Sequence, residues 1–317
     1  MKHIEWGFLI IIYLFLGGLS AGAFFVSALA SLLQRNGGDA AYTRIARYGA
    51  MLAPWPVMIG CTLLIFDLGR WYTFWKLFLH FRWTSPMSIG SWLLVLFTTV
   101  ALLYLWSWMS AEQRLRVMSK LPRRLGVLNR DLSAYRRQLA MIGTPLAIAV
   151  GIYTGVLLGA VQSRPFWNTN LVAQMFLFSA LSSGCAAVTL LTALRREEND
   201  SRAFQLLYTV DILLLALELF IVIPYLVHGE LSVQAVKDSL ALILGGPFTI
   251  IFWLFFLLLG LLLPLLIEAL EIVPAVLTRA TPHFRSGMVA ITAMLVLAGG
   301  FLLRYIFVFA GQTSSFK

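Results

Sequence analysis

Residues 5–33 read EWGFLIIIYLFLGGLSAGAFFVSALASLL, and no charged side chain follows Glu5 in this stretch. An α-helix needs about 20 mostly apolar residues to cross the hydrocarbon core of a bilayer. A cleaved signal peptide has a shorter apolar region of about 7–15 residues. The stretch therefore predicts a transmembrane helix that stays in the protein.

The rest of the chain has the same character. Of its 317 residues, 60% are hydrophobic and only 12% are charged, with a mean hydropathy of +0.86. Soluble domains are about 45–50% apolar and about 25% charged, so this chain is too apolar for that class. We predict an all-α membrane protein with eight transmembrane helices, at about residues 5–33, 44–67, 87–109, 138–160, 168–194, 205–227, 247–272 and 287–311.

The net charge of +10 is unevenly distributed between the loops. If eight helices alternate in direction, sixteen Lys and Arg residues lie on one face of the membrane and seven on the other, and Arg304 lies within a helix. Because cytoplasmic loops carry the excess of positive charge, both termini and the loop at 67–92 are predicted to lie outside the cytoplasm. The basic segment 112–137 is then a solvated cytoplasmic loop, and no nucleic acid is expected as a partner.

A short pattern occurs twice at an offset of 162 residues. Leu19-Ser20-Ala21-Gly22-Ala23 corresponds to Leu181-Ser182-Ser183-Gly184-Cys185. Four predicted helices separate the copies, so both run the same way through the membrane, as in a parallel repeat. The repeat predicts two four-helix bundles, at 1–160 and 161–317. Small residues at such spacing also occur simply because they let helices approach closely.

The loop between the second and third helices is predicted to form an amphipathic surface helix at 70–83. Five aromatic side chains share one arc of its helical wheel, namely Trp71, Phe74, Trp75, Phe78 and Phe81. Such a helix lies in the membrane interface. Ser85 and Pro86 then have the residue types of an N-cap and first helical position.

Ionisable side chains inside a bilayer are costly, so each one is a functional hypothesis. Asp67 ends the second helix, where it could hold a proton or simply pair with Arg70. Asp211 and Glu218 lie seven residues apart on one face of the sixth helix and could transfer protons. Glu218 could equally neutralise Arg304 of the eighth helix, and the two roles are compatible.

Three further residues are weaker candidates. Glu268 and Glu271 are expected at a wetted end of the seventh helix, because Pro274 follows them closely, with proton uptake as the alternative. Tyr153 lies in the outer half of the fourth helix, where its phenol could face a quinone carbonyl or belong to an aromatic belt. Gly151, Gly155 and Gly159 would let a helix or a flat ring pack closely there.

The predicted helices offer no ligands for electron-carrying cofactors. None of the four histidines lies in the middle of a helix, so a bis-histidine haem is not expected. Cys61 and Cys185 have no CxxC context and are predicted to be packing residues, with no metal site. We expect neither haem nor iron–sulfur in this chain.

Several motifs, in order along most of the chain, resemble the NrfD/PsrC family of integral membrane subunits that exchange electrons with the quinone pool. They are YLFLGGLSAGAFF, DLGRWYTFWKLF with SPMSIGSW, YTGVLLG, RPFWNTNLVAQMFLFSALSSG and GGFLLRYIFVFAGQ. The resemblance implies a subunit of the bacterial inner membrane that binds menaquinone or ubiquinone near the outer face of the first bundle. It also implies an iron–sulfur partner on that face, often with a molybdopterin catalytic subunit beyond it.

The resemblance assigns candidate roles to particular residues. Quinone contacts fall on Tyr153, Asp67 and Gly69, with Tyr13 as the polar group that the outer part of the first helix offers. The partner interface falls on the residues Arg70, Trp71, Trp75, Lys76 and Arg82. Family members commonly have proline where Trp71 stands, and some place Asn and His on the first helix, so these two regions depart from the pattern.

The favoured function is therefore a quinone-reactive membrane subunit of an oxidoreductase complex. A secondary transporter is an alternative because a repeat with buried charges also suits alternating access. A purely structural membrane anchor is another, and it should tolerate neutralisation of Asp67 and Glu218.

Overall fold

The computed structural model describes residues 6–34, 39–67, 72, 75–79, 81–119, 131–195, 201–278 and 284–314. Its helices are α1 (Phe8–Leu33), α2 (Ala40–Leu52), α3 (Pro54–Asp67), α4 (Lys76–Leu79), α5 (Pro86–Trp108), α6 (Ala111–Met118), α7 (Arg136–Gly159), α8 (Asn170–Arg195), α9 (Ser201–Leu231), α10 (Gln234–Leu244), α11 (Leu263–Thr278) and α12 (Ser286–Thr313). A 3₁₀ turn, Ser133–Tyr135, precedes α7, and a π-helical segment, Ile251–Leu262, runs directly into α11.

The prediction of eight transmembrane helices is confirmed. Eight helical stretches of the described residues are long and apolar enough to cross a membrane. Six are α1, α5, α7 with its 3₁₀ turn, α8, α9 and α12, while α2 with α3 forms the second and the π-helical segment with α11 forms the seventh. The chain is a multi-pass membrane protein.

The second span is interrupted at Ala53, between α2 and α3. Pro54 and Pro56 have no backbone N–H to continue the helical hydrogen bonds. Two serines of α1 bind carbonyls of α2 and of this break, since the hydroxyl of Ser20 donates to the carbonyl of Ala53 and that of Ser27 to Ala46. These bonds fix the broken span against α1.

Helices α1 and α8 form the centre of the molecule and have the most buried spans. They cross where Gly22 meets Gly184, and a methyl group built on Gly22 would lie 2.8 Å from the Cα atom of Gly184. Only glycine allows backbones to approach so closely. The two glycines hold corresponding positions in the predicted repeat.

The other helices pack around this centre in two similar groups. Helix α1 contacts α2, α3 and α7, and α5 packs on α7. In the second group α8 contacts α9 and α12, and the π-helical segment packs on α12. On this pattern we propose the division into four-helix bundles at 1–160 and 161–317.

The two ends of the molecule differ in their residues. At one end, called here the terminal end, the backbone of Trp6 exchanges two hydrogen bonds with the Gln312 side chain, and Arg164 donates to the carbonyls of Gln312 and Ser314. The opposite end, called the basic end, carries the ion pairs Arg114–Asp131 and Arg202–Asp39. The hydrogen bond from Arg114 holds the pKa of the exposed Asp131 carboxyl down at about 2.

The surface helix predicted at 70–83 ends before residue 81, earlier than expected. Among its described residues Lys76–Leu79 are α-helical and Tyr72 is 3₁₀-helical, whereas residues 81–85 are not helical. The chain turns here instead, because the N–H of Ser85 bonds the carbonyl of Arg82 and the N–H of Arg82 bonds the Ser88 hydroxyl. The predicted cap is confirmed, since the Ser85 side chain accepts from the Ser88 N–H and Pro86 begins α5.

Candidate functional site: an apolar cavity and a line of buried charges

A cavity of about 480 Å³ lies between α3, α5 and α7. Its walls are mainly apolar, and its lining residues are Met58, Cys61, Thr62, Leu64, Ile65, Phe78, Met87, Ser91, Leu94, Val95, Thr98, Thr99, Tyr153 and Leu157. Met58 and Val95 are also exposed on the outer surface of their spans. The cavity is therefore open at the side of the molecule that faces lipid.

Tyr153 brings a phenol to the wall of this cavity. A methyl group on Gly90 of α5 would overlap the Tyr153 ring, so glycine at this position leaves the ring its space. Behind Tyr153, the hydroxyl of Tyr13 lies close to the Tyr153 hydroxyl. Tyr13 is fully buried, and its hydroxyl has no well-formed hydrogen bond within the described residues. The structure thus brings together two of the predicted quinone-binding residues.

The glycines around Tyr153 serve helix packing. Gly151 faces Leu177, and a methyl group on Gly155 would lie 2.5 Å from the Cα atom of Ala173. Of the two alternatives left open by the sequence, the structure places a helix, α8, against this face.

Asp67 does not line the cavity. It is the last residue of α3, one turn beyond the lining residue Leu64. A methyl group on Gly7 would lie 3.3 Å from Oδ1 of Asp67, so the carboxyl group sits beside the residue that precedes α1. A negative charge is favourable at the N-terminus of a helix.

The predicted partner-interface residues that the structure describes are exposed. Lys76 lies 6.0 Å from the centre of the half-exposed Trp75 ring, and Arg82 is exposed next to Trp83, which is 81% exposed. On the inner side of this segment, Phe78 lines the cavity and packs edge-on against Trp92. Gly69, Arg70 and Trp71 lie outside the described residues.

In the second group of helices, Glu218 and Arg304 are both buried but do not form a direct ion pair. Arg304 donates to the hydroxyl of Ser179 at 2.9 Å and to the Gly300 carbonyl at 2.6 Å. The carboxyl group of Glu218 contacts the same Ser179 hydroxyl and accepts from Ser182 at 3.5 Å. The Ser179 hydroxyl therefore bridges the Arg304 guanidinium and the Glu218 carboxyl group, which were expected to pair directly.

The expectation of a wetted position is wrong for Glu268. This side chain is 1% exposed and lies within hydrogen-bonding reach of Asp211, which is 2% exposed. Helix α11 continues through Pro274 to Thr278, so Glu268 lies ten residues, about 15 Å, from the helix end. Glu271 is half-buried.

Sequence reasoning found Tyr153 but missed this acid pair and most of the cavity wall. A signal for the pair was present, because Asp211 lies ten residues after the start of α9 and Glu268 ten residues before the end of α11. Equal depth on neighbouring helices favours contact. Nothing in the sequence marked residues such as Leu94 and Thr98 as cavity-lining.

The structure defines a class of protein: a multi-pass helical membrane protein with an apolar, laterally open cavity and buried charged side chains. Among the described residues, no three His, Cys, Asp or Glu side chains are placed to hold a metal ion.

Comparison with known proteins gives the family. The profile of the family "Polysulphide reductase, NrfD" matches residues 1–315. The protein is 33% identical to protein NrfD of Escherichia coli K12, over 98% of its own length and 96% of that relative. It is 34% identical to a chain of the polysulfide reductase of Wolinella succinogenes, over 98% and 95% of the two lengths. It is 27% identical to a subunit of the selenate reductase of Mesobacillus selenatarsenatis, over 80% and 64%.

The chain therefore belongs to the NrfD family of polysulphide reductase proteins, as its motifs indicated. As a member of this family it is a membrane subunit of a respiratory oxidoreductase.

Proposed function

We propose that this chain binds quinone or quinol in the cavity beside Tyr153 and exchanges two electrons with an iron–sulfur partner docked at the terminal end. The single observation that carries the proposal is the laterally open apolar cavity with one phenol in its wall. Its volume of about 480 Å³ falls within the range of small-molecule sites.

The chemistry of the wall suits a quinone. The hydroxyls of Thr62, Ser91 and Thr99 each donate to a carbonyl of their own helix. This leaves the hydroxyls of Tyr153 and Thr98 as lining groups that can donate to a ligand oxygen, and we assign the role to the phenol because it is the more acidic donor. The apolar remainder of the wall accepts a ring, and the opening toward lipid accepts an isoprenoid tail. These properties fit both menaquinone and ubiquinone.

The residues around the cavity would have the following roles. A bound quinone supplies two-electron, two-proton chemistry. Tyr153 donates a hydrogen bond to a ring oxygen, and the Tyr13 hydroxyl lies close behind that of Tyr153. Asp67, at the terminal end of α3, is placed to exchange protons with the surface. Gly69 belongs to the same proposed site by family resemblance.

The terminal end is the proposed docking face for the partner. Phe78 lines the cavity while Trp75, Lys76 and Arg82 are exposed, so one short segment faces both the cavity and the surface. We include Arg70 and Trp71 in this interface by family resemblance. An iron–sulfur subunit bound here would lie near the cavity, with a molybdopterin or other catalytic subunit beyond it.

We also propose that the protein resides in the bacterial inner membrane with its terminal end outside the cytoplasm. The distribution of Lys and Arg supports this orientation. In the second group of helices, Asp211, Glu218 and Arg304 are proposed to transfer protons, since buried ionisable side chains in a membrane protein are costly to keep without a function.

Quinol oxidation by the assembled complex tests the proposal. Tyr153→Phe removes one hydrogen bond worth about 1 kcal/mol, so the quinol KM should rise about fivefold. Tyr305→Phe is the matched control, because this phenol of α12 packs on Phe309, away from the cavity. A hydroxyquinoline inhibitor should compete with quinol.

A second pair of variants tests the cavity itself. Thr98→Trp places an indole inside it, whereas Leu102→Trp adds the same side chain one turn along α5 on the exposed surface. Wild-type turnover of quinol by both Thr98→Trp and Tyr153→Phe would show that quinone binds elsewhere.

A further inference from the structure

The buried acid pair of the second bundle lies outside the quinone cavity. Asp211 belongs to α9 and Glu268 to α11, and their carboxyl groups are within hydrogen-bonding reach of each other. Two carboxyl groups can form that hydrogen bond only when one of them carries a proton. Like charges at this distance cannot both ionise in a buried position.

No basic side chain among the described residues contacts this pair. Arg304 is directed instead to Ser179 and to the Gly300 carbonyl. The titratable groups that face the pair come from several helices, namely Cys185 of α8, Tyr208 and Glu218 of α9 and Glu271 of α11. All of them are acids, so protonation of the pair, and no neighbouring cation, limits its negative charge.

An independent observation shows that the cluster needs a further polar ligand. The Tyr208 hydroxyl, on a side chain that is 1% exposed, lies near the Thr292 hydroxyl but has no well-formed hydrogen bond within the described part of the chain. The same holds for Glu271 Oε2. Buried polar atoms are nearly always hydrogen-bonded, and ordered water supplies the bond where protein does not.

The polar atoms of this cluster extend from the acid pair toward the basic end of the molecule. Tyr208 lies one turn from Asp211 toward the basic end, and Glu271 lies one turn from Glu268 toward the same end. Glu271 is half-buried, so the line reaches a partly open position. In the other direction, Glu218 lies seven residues, about 10 Å, beyond Asp211, with the buried Leu214 and Leu215 between them.

We propose that Asp211 and Glu268 form a proton-binding site that exchanges its proton with the basic end by way of Glu271 and Tyr208. The inference deepens the proposed proton-transfer role of Asp211 and rests on it, but it does not depend on quinone binding. It adds Glu268 as a partner in holding the proton, with Glu271 and Tyr208 as the exchange route. The ligand is a proton carried by water.

Infrared difference spectroscopy of the full chain in lipid nanodiscs tests the site. The wild type should show a carboxylic-acid C=O band that shifts in heavy water. The band should be lost or shifted in Asp211→Asn and equally in Glu268→Gln, because either change removes the hydrogen bond between the two carboxyl groups, while Glu230→Gln, at an exposed acid of the terminal end of α9, leaves it unchanged. A band that is unchanged in either variant would overturn the shared proton.

The exchange route is tested on proteins that keep the pair intact. Tyr208→Phe with Glu271→Gln should retain the band and slow its hydrogen–deuterium exchange several-fold, and Tyr305→Phe should not. Unchanged exchange in the double variant would refute the route. Thr98→Trp, which places an indole in the quinone cavity, should leave the band and its exchange as in the wild type, so failure of the quinone proposal and failure of this one are distinguishable.

Discussion

The Tyr153 ring occupies space that a side chain at position 90 would take. Sequence reasoning could single out Tyr153, because a phenol at that depth in an apolar helix is unusual and needs a partner. It could not identify Gly90 as its neighbour, because that contact joins two helices separated by a long basic segment. For Glu268 the prediction was wrong, because Pro274 suggested a helix end, whereas α11 continues to Thr278.

The Gly90 contact gives a prediction. Gly90→Ala should displace the Tyr153 ring and raise the quinol KM of the complex about fivefold, as the loss of its hydrogen bond would. Gly287→Ala is the control, since a methyl group there meets nothing within 4 Å. Steady-state kinetics of purified complexes measure the difference, and a wild-type KM in Gly90→Ala would contradict the proposed position of Tyr153.

At the scale of helices, the spans followed from the sequence because about 20 apolar residues suffice to cross a membrane. Which helices pack against each other could not be predicted, because lipid-facing and protein-facing helix surfaces are both apolar. The small-residue pattern at Gly22 and Gly184 was the exception. The structure places these two glycines in contact where α1 crosses α8.

This crossing should be sensitive to a single methyl group. Gly22→Ala and Gly184→Ala each force the backbones apart, and overpacking of this kind costs about 1–3 kcal/mol. The melting temperature of the detergent-solubilised protein should fall in both variants and stay unchanged in Gly287→Ala. A wild-type melting temperature in Gly22→Ala and Gly184→Ala would mean that the helices do not cross as closely as described.

At the scale of the whole molecule, the charge distribution predicts the orientation. The Gln312 side chain holds the Trp6 backbone, so both ends of the described chain lie on one side. A fusion of alkaline phosphatase, which folds only outside the cytoplasm, to the C-terminus should be active. A fusion after Met118 of α6 should be inactive, and the reverse pattern would invert the proposed topology.

The position of the bound quinone is the central claim, and photoaffinity labelling measures it directly. A photoreactive quinone analogue should label peptides from α3, α5 and α7, in competition with unlabelled quinone. Labelling should be abolished in Thr98→Trp and retained in Leu102→Trp. Labelling confined to peptides of α9, α11 or α12, or full labelling of Thr98→Trp, would contradict the account.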